Sequence, residues 1–69
     1  MDKKVVGIVI DNYKVITYRR ELTLKGYTFE VKPHTKGLTF LSINTTENKI
    51  PEIGKLCHKL ETNFKAQRN

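Results

Sequence analysis

Apolar residues follow three different rhythms along this chain. From Lys4 to Ile10 the run KVVGIVI is apolar at nearly every position, and it stops at the polar pair Asp11-Asn12. Val and Ile lose little side-chain freedom in a pleated backbone and more in a helix, so the run predicts a first strand. Alternation sends Val6, Ile8 and Ile10 to one side of it and Val5, Gly7 and Val9 to the other, which leaves no polar face.

The second rhythm is helical. Asp11 or Asn12 suits an N-cap and Gly26 suits a left-handed end, so helix one is expected from about Tyr13 to Lys25. At 100° per residue Val15, Tyr18 and Leu22 cluster with Ile16 on their flank, while Lys14, Thr17, Glu21 and Lys25 share the outer side. Arg19 falls between the centre of this stripe and Ile16, where a guanidinium is costly unless it is paired or reaches water. Two readings follow: Arg19 snorkels with its stem over Ile16, or it joins Arg20 in an anion site.

The third rhythm has period two. In YTFEVKPHTKGLTFLSINTT, two alternating segments flank His34-Thr35-Lys36-Gly37-Leu38, which fits a three-residue hairpin loop with a left-handed glycine. With His34 opposite Leu38, Val31 pairs with Leu41 and Phe29 with Ile43, giving one consistently apolar face. A four-residue loop would instead pair Val31 with Phe40 and Phe29 with Ser42, burying a polar side chain. Pro33 has no N–H for a ladder, so it belongs at a strand end or with its nitrogen facing outward.

Helical spacing then returns in Ile50, Ile53, Leu56, Cys57, Leu60 and Phe64, an amphipathic second helix with Asn48 as a possible cap and Pro51 in its first turn. The order is β-α-β-β-α. A right-handed crossover through helix one sets strands one and two parallel with strand three between them, and places both helices on one face. Residues 1–69 thus read as a single α+β domain with a three-stranded mixed sheet of order 1-3-2, which resembles a ferredoxin-like unit lacking its last strand. Such a sheet leaves Val5, Val9, Leu38 and Phe40 pointing away from the helices and strand one as a bare edge, so these residues are the expected interface.

Charge and candidate chemistry narrow the function classes. With 13 Lys+Arg against 7 Asp+Glu, the net charge of +6 attracts anionic partners. The candidate anion-binding residues are Arg19 and Arg20, Lys32 and Lys36 beside Phe40, and Lys55 and Lys59 on the second helix, with Lys65 and Arg68 extending that group. Cys57 and His58 are adjacent and diverge by about 100° on a helix, so they do not make a nucleophile and base pair. Asp2 and Asp11 carry no acid-base signature, no metal-ligand spacing exists, and no glycine-rich phosphate loop follows the first strand, so no cofactor and no catalytic residue is expected.

A lone cysteine, the lack of a secretory-type leader and the lack of a long apolar run point to a cytoplasmic chain without a membrane partner. The expectation is a small, non-enzymatic binding protein that forms a homodimer or larger oligomer and engages an anionic partner, either nucleic acid or a nucleotide held at a subunit interface. The competing class is a protein-interaction regulator or inhibitor that grips another protein through the open sheet face or the strand edge.

Overall fold

The computed structural model describes residues 3–67 and has the expected element order: β1 (Lys3–Asp11), α1 (Val15–Leu24), β2 (Thr28–Pro33), β3 (Leu38–Thr46) and α2 (Ile50–Gln67), with a short 3-10 turn leading into each helix. The sheet has order β1-β3-β2, and β3 pairs antiparallel with both neighbours. β1 and β2 run the same way but never touch, so every ladder is antiparallel and no parallel pairing contributes. The hairpin takes the three-residue loop: Gly37 has φ 82°, Leu38 N–H donates to Thr35 C=O at 2.9 Å, and Val31 and Phe29 pair with Leu41 and Ile43. Pro33 satisfies both of its constraints, as the last residue of an edge strand.

One face of this sheet carries the core. Leu41 and Ile43 of β3 and Ile10 of β1 are buried with Tyr18 and Leu22 of α1 and Ile53, Leu56 and Leu60 of α2. Both helices therefore lie on the face shared by the even positions of β1 and the odd positions of β3. The shortest Cα dimension is 16 Å, which leaves room for one sheet and one helix layer. No described helix is long and apolar enough to cross a membrane.

The helix ends differ in how they are fixed. α1 stops in a Schellman arrangement, with Gly26 at φ 84° donating to Thr23 C=O and Tyr27 N–H donating to Leu22 C=O, both at 3.0 Å. Its start is not capped as expected. Asp11 makes no capping hydrogen bond and the Asn12 carboxamide oxygen accepts from the Thr39 hydroxyl, so the polar pair ties the turn to β3. Asn48 likewise accepts from the Thr46 hydroxyl at 2.7 Å, bridging the end of β3 to the turn before α2.

The largest departure from expectation is the rotation of α1. Lys14, expected outside, has a side chain only 12% exposed, whereas Ile16, expected at the edge of the buried stripe, is 75% exposed. Glu61 of α2 supplies the cause. Its carboxylate accepts from Lys14 Nζ and from Tyr18 Oη, each at 2.6 Å, drawing the Lys14–Tyr18 side of α1 toward α2. Arg19 consequently sits on the exposed side of α1, outside the core.

This clamp shifts the titration of all three partners. Lys14 and then Tyr18 hold the Glu61 carboxyl below its ordinary 4.5, Glu61 holds Lys14 above 10.5, and burial followed by Glu61 pushes the Tyr18 phenol far above 10. A depressed carboxyl contributes stability that is present above 4.5 and is lost as pH falls through the folded value. A raised Lys or Tyr contributes stability that is present below its ordinary value and is lost as pH climbs through the folded one.

Urea denaturation at neutral pH should show Glu61→Ala less stable by about 1–3 kcal/mol, because the buried Tyr18 hydroxyl and the Lys14 ammonium lose their acceptor. Glu61→Gln should keep the Tyr18 bond and flatten the stability loss between neutral pH and about pH 3 relative to the parent chain.

Candidate interaction face of the sheet

The face turned away from the helices is uncovered. Val5 is 65% and Val9 46% exposed, while Leu38 and Phe40 are half-buried by their neighbours within the sheet. Phe40 organises this surface. In register it lies between Val9 of β1 and Lys32 of β2, and its ring leans diagonally over Gly7. A Cβ on Gly7 would sit 2.6 Å from Phe40 Cζ and 2.8 Å from Cε1, so the glycine clears the space that the ring fills. The His34 ring stands 6.4 Å from the Phe40 centroid at a tilt of 35°, extending the aromatic surface toward the hairpin.

Period-two alternation places Lys3 and Asp11 on this face at opposite ends of β1, and Lys32 on its β2 side. Lys36 lies in the hairpin loop between β2 and β3. Among the candidate cations, then, Lys32 shares the face with Val5, Val9, Leu38 and Phe40, and Lys36 flanks it.

The remaining candidates lie on the helix layer, in two separate places. Arg19 and Arg20 line a shallow groove with Ile16, Thr23, Leu24 and Phe29. Lys55 and Lys59 line another with Lys25, Glu52 and Leu56. The fold does not gather the six cations into one site. Asp2 and Arg68 lie outside the described residues.

Sequence reasoning passed over three contributors. His34 was read only as a turn residue, although its position opposite Leu38, two residues on from Lys32 and just past the end of β2, already put it on the same face. Lys25 joins Lys55 and Lys59 because, still helical and three turns on from Lys14, it lies on the side of α1 that is rotated toward α2, which only tertiary packing decides. Lys3 follows from the alternation once β1 is extended by one residue.

Chemically, the face offers one aromatic platform, adjacent ammonium groups and apolar contact. Burial pushes the Cys57 thiol up, which suppresses the thiolate needed for nucleophilic chemistry, and it sits on the packed side of α2 against the core. No group of three or more His, Cys, Asp or Glu side chains among the described residues converges as a metal site would require.

The free edge of β1 is the other asset of this face. Asn12 N–H donates to Gly37 C=O at 3.0 Å, one step beyond the β1–β3 ladder, so by antiparallel alternation the even residues of β1 direct their backbone groups at β3. The odd residues, Lys3 to Asp11, direct theirs outward. Among the turn, loop and cap hydrogen bonds of the described residues, none reaches the outward groups of Lys3, Val5, Gly7 or Val9.

Gly7→Ala should force the Phe40 ring off the sheet and lower stability by about 1–3 kcal/mol in urea denaturation, with much of the loss recovered when Phe40→Ala is added. Comparison of the chain with protein-family models, with curated proteins and with solved structures yields no match.

Proposed function

We propose that this chain is a cytoplasmic, non-enzymatic binding protein that self-associates and holds single-stranded nucleic acid on the open face of its sheet. The observation that carries the reading is Phe40, an aromatic ring on an uncovered face, in register with Lys32 and next to His34. A ring of this kind accepts a stacked base, with Lys32 in register beside it, Lys36 in the hairpin loop and Lys3 at the far end of β1 as the cations for the phosphates of an extended strand. The net charge of +6 supports attraction of a polyanion over long range. A flat face of this kind suits an extended strand better than an enclosed mononucleotide. Exposed Val5 and Val9 support self-association, since an apolar surface continuous with a bare strand edge is most cheaply covered by another molecule.

Fluorescence anisotropy with labelled mixed-sequence single-stranded DNA and RNA tests this directly. Affinity should fall steeply between low and physiological salt, and Lys32→Ala and Lys36→Ala should each reduce the log-log slope by about 0.7. Phe40→Leu keeps bulk over Gly7 but removes the π face, and should cost about 1–3 kcal/mol of binding. Arg19→Leu, on the helix layer, should leave both affinity and slope unchanged. Absence of binding at low salt overturns the reading, as does binding indifferent to Lys32 and Phe40. A salt-insensitive complex with another protein would favour the regulator class instead.

A further inference from the structure

β1 is complementary to itself. Read outward from Gly7, the strand has Val6 against Ile8, Val5 against Val9, Lys4 against Ile10 and Lys3 against Asp11. The two ends that would meet in an antiparallel pair thus carry opposite charges, and every position between them except Lys4, which alternation sends to the helix side, is apolar or glycine. We infer that two copies of the chain join edge to edge through β1, antiparallel, with Gly7 facing Gly7 on the two-fold axis.

The backbone and the side chains select the same register. Outward N–H and C=O groups belong to the odd residues, and this alignment opposes odd residues only to odd ones: Gly7 with Gly7, Val5 with Val9, Lys3 with Asp11. Directly opposed residues share a face, so the two open faces become continuous and all four helices lie on the other side. A slip of one residue would oppose outward groups to inward ones. A slip of two sets Val5 against Gly7 and Lys3 against Val9, losing both the valine contact and the end charges. The centred register pairs the whole nine-residue strand. Asp11 already lies 3.5 Å from Lys14 within its own protomer, so Lys3 of the second copy adds a cation to a carboxylate that remains 47% exposed.

The two sheet edges differ in a way that favours β1. The β2 edge ends in Pro33, whose missing donor blunts pairing, and is six residues long. The β1 edge has no proline, and its only charges are at its ends. The six-stranded sheet that results sets one Phe40 ring on each side of the axis, leaning over the glycines, so the proposed base-stacking surface becomes a two-ring platform. The inference rests on the self-association part of the proposed function and supplies its geometry.

The test uses the full chain. Sedimentation equilibrium should give a dimer at tens of micromolar. On raising the concentration into that range, hydrogen exchange at the amides of Val5, Gly7 and Val9 should slow by roughly tenfold or more, while Val6 and Ile8, already bonded to β3, change little. An equal mixture of isotope-labelled and unlabelled chains should give an intermolecular Hα–Hα contact between Val6 and Ile8, the close non-hydrogen-bonded pair of this register. Val5→Pro removes an outward donor that the protomer does not use and should abolish the dimer with the fold intact by circular dichroism. Should that variant not fold, Lys3→Glu should weaken the dimer severalfold and its combination with Asp11→Lys should restore it.

A dimer that survives Val5→Pro, with the odd amides of β1 still exchanging fast, overturns the edge pairing and leaves self-association through the open face. A chain that stays monomeric throughout overturns both.

Discussion

Leu41 and Ile43 have no solvent exposure, and the rest of the protein is arranged to keep them so. They stand on the middle strand of a three-stranded sheet, where strands on both sides supply hydrogen bonds and only the two faces remain to be covered. Two helices cover one face. The described residues supply no third layer for the other, so the residues interleaved with Leu41 and Ile43, namely Phe40, Ser42 and Asn44, are left outside the helix-packed core by the same alternation that buries their neighbours. A two-layer domain of this size cannot bury both faces of its sheet, and its surface chemistry follows from that limit.

The sheet was legible from sequence because its constraints are local. Gly37 at the one position of a three-residue loop that needs positive φ, and Pro33 barred from a central ladder, left one register in which Phe29, Val31, Leu41 and Ile43 agree. The orientation of α1 was not legible. Val15, Ile16, Tyr18, Leu22 and Leu24 surround much of the helix, so periodicity defines a broad stripe and not its centre. What breaks the tie is Glu61, separated from Tyr18 by 43 positions in sequence, and no local pattern announces that Lys14 and Tyr18 will share its carboxylate. Once that clamp is made, Ile16 and Leu24 face outward and the unusual position of Arg19 dissolves: the arginine interrupts an apparent stripe, not a real one.

The same reasoning separates the basic residues by the layer they occupy. Charge attracts, but only charges held beside a contact surface decide geometry. Arg19, Arg20, Lys55 and Lys59 occupy the helix layer and add to the long-range field. Lys32 stands in register with an aromatic ring on an uncovered face and Lys36 lies in the adjoining hairpin loop, which is why the proposed function is built on these two and not on the helix-layer cations. Candidate cations were visible in the sequence as a list, whereas their division by layer required the register of β2 against β3 and the packing of both helices.

Size links the edge of β1 to stability itself. The buried apolar core comprises Ile10, Tyr18, Leu22, Leu41, Ile43, Ile53, Leu56 and Leu60, a small set with which to offset the ordering of a 69-residue chain. A partner that binds the folded protomer and not the unfolded chain raises apparent stability by mass action, so the proposed pairing at β1 would couple folding to protomer concentration. In the proposed pairing Val5 of one protomer opposes Val9 of the other across the two-fold axis, so side chains that stand exposed in the isolated chain gain an apolar neighbour while the open face itself stays uncovered.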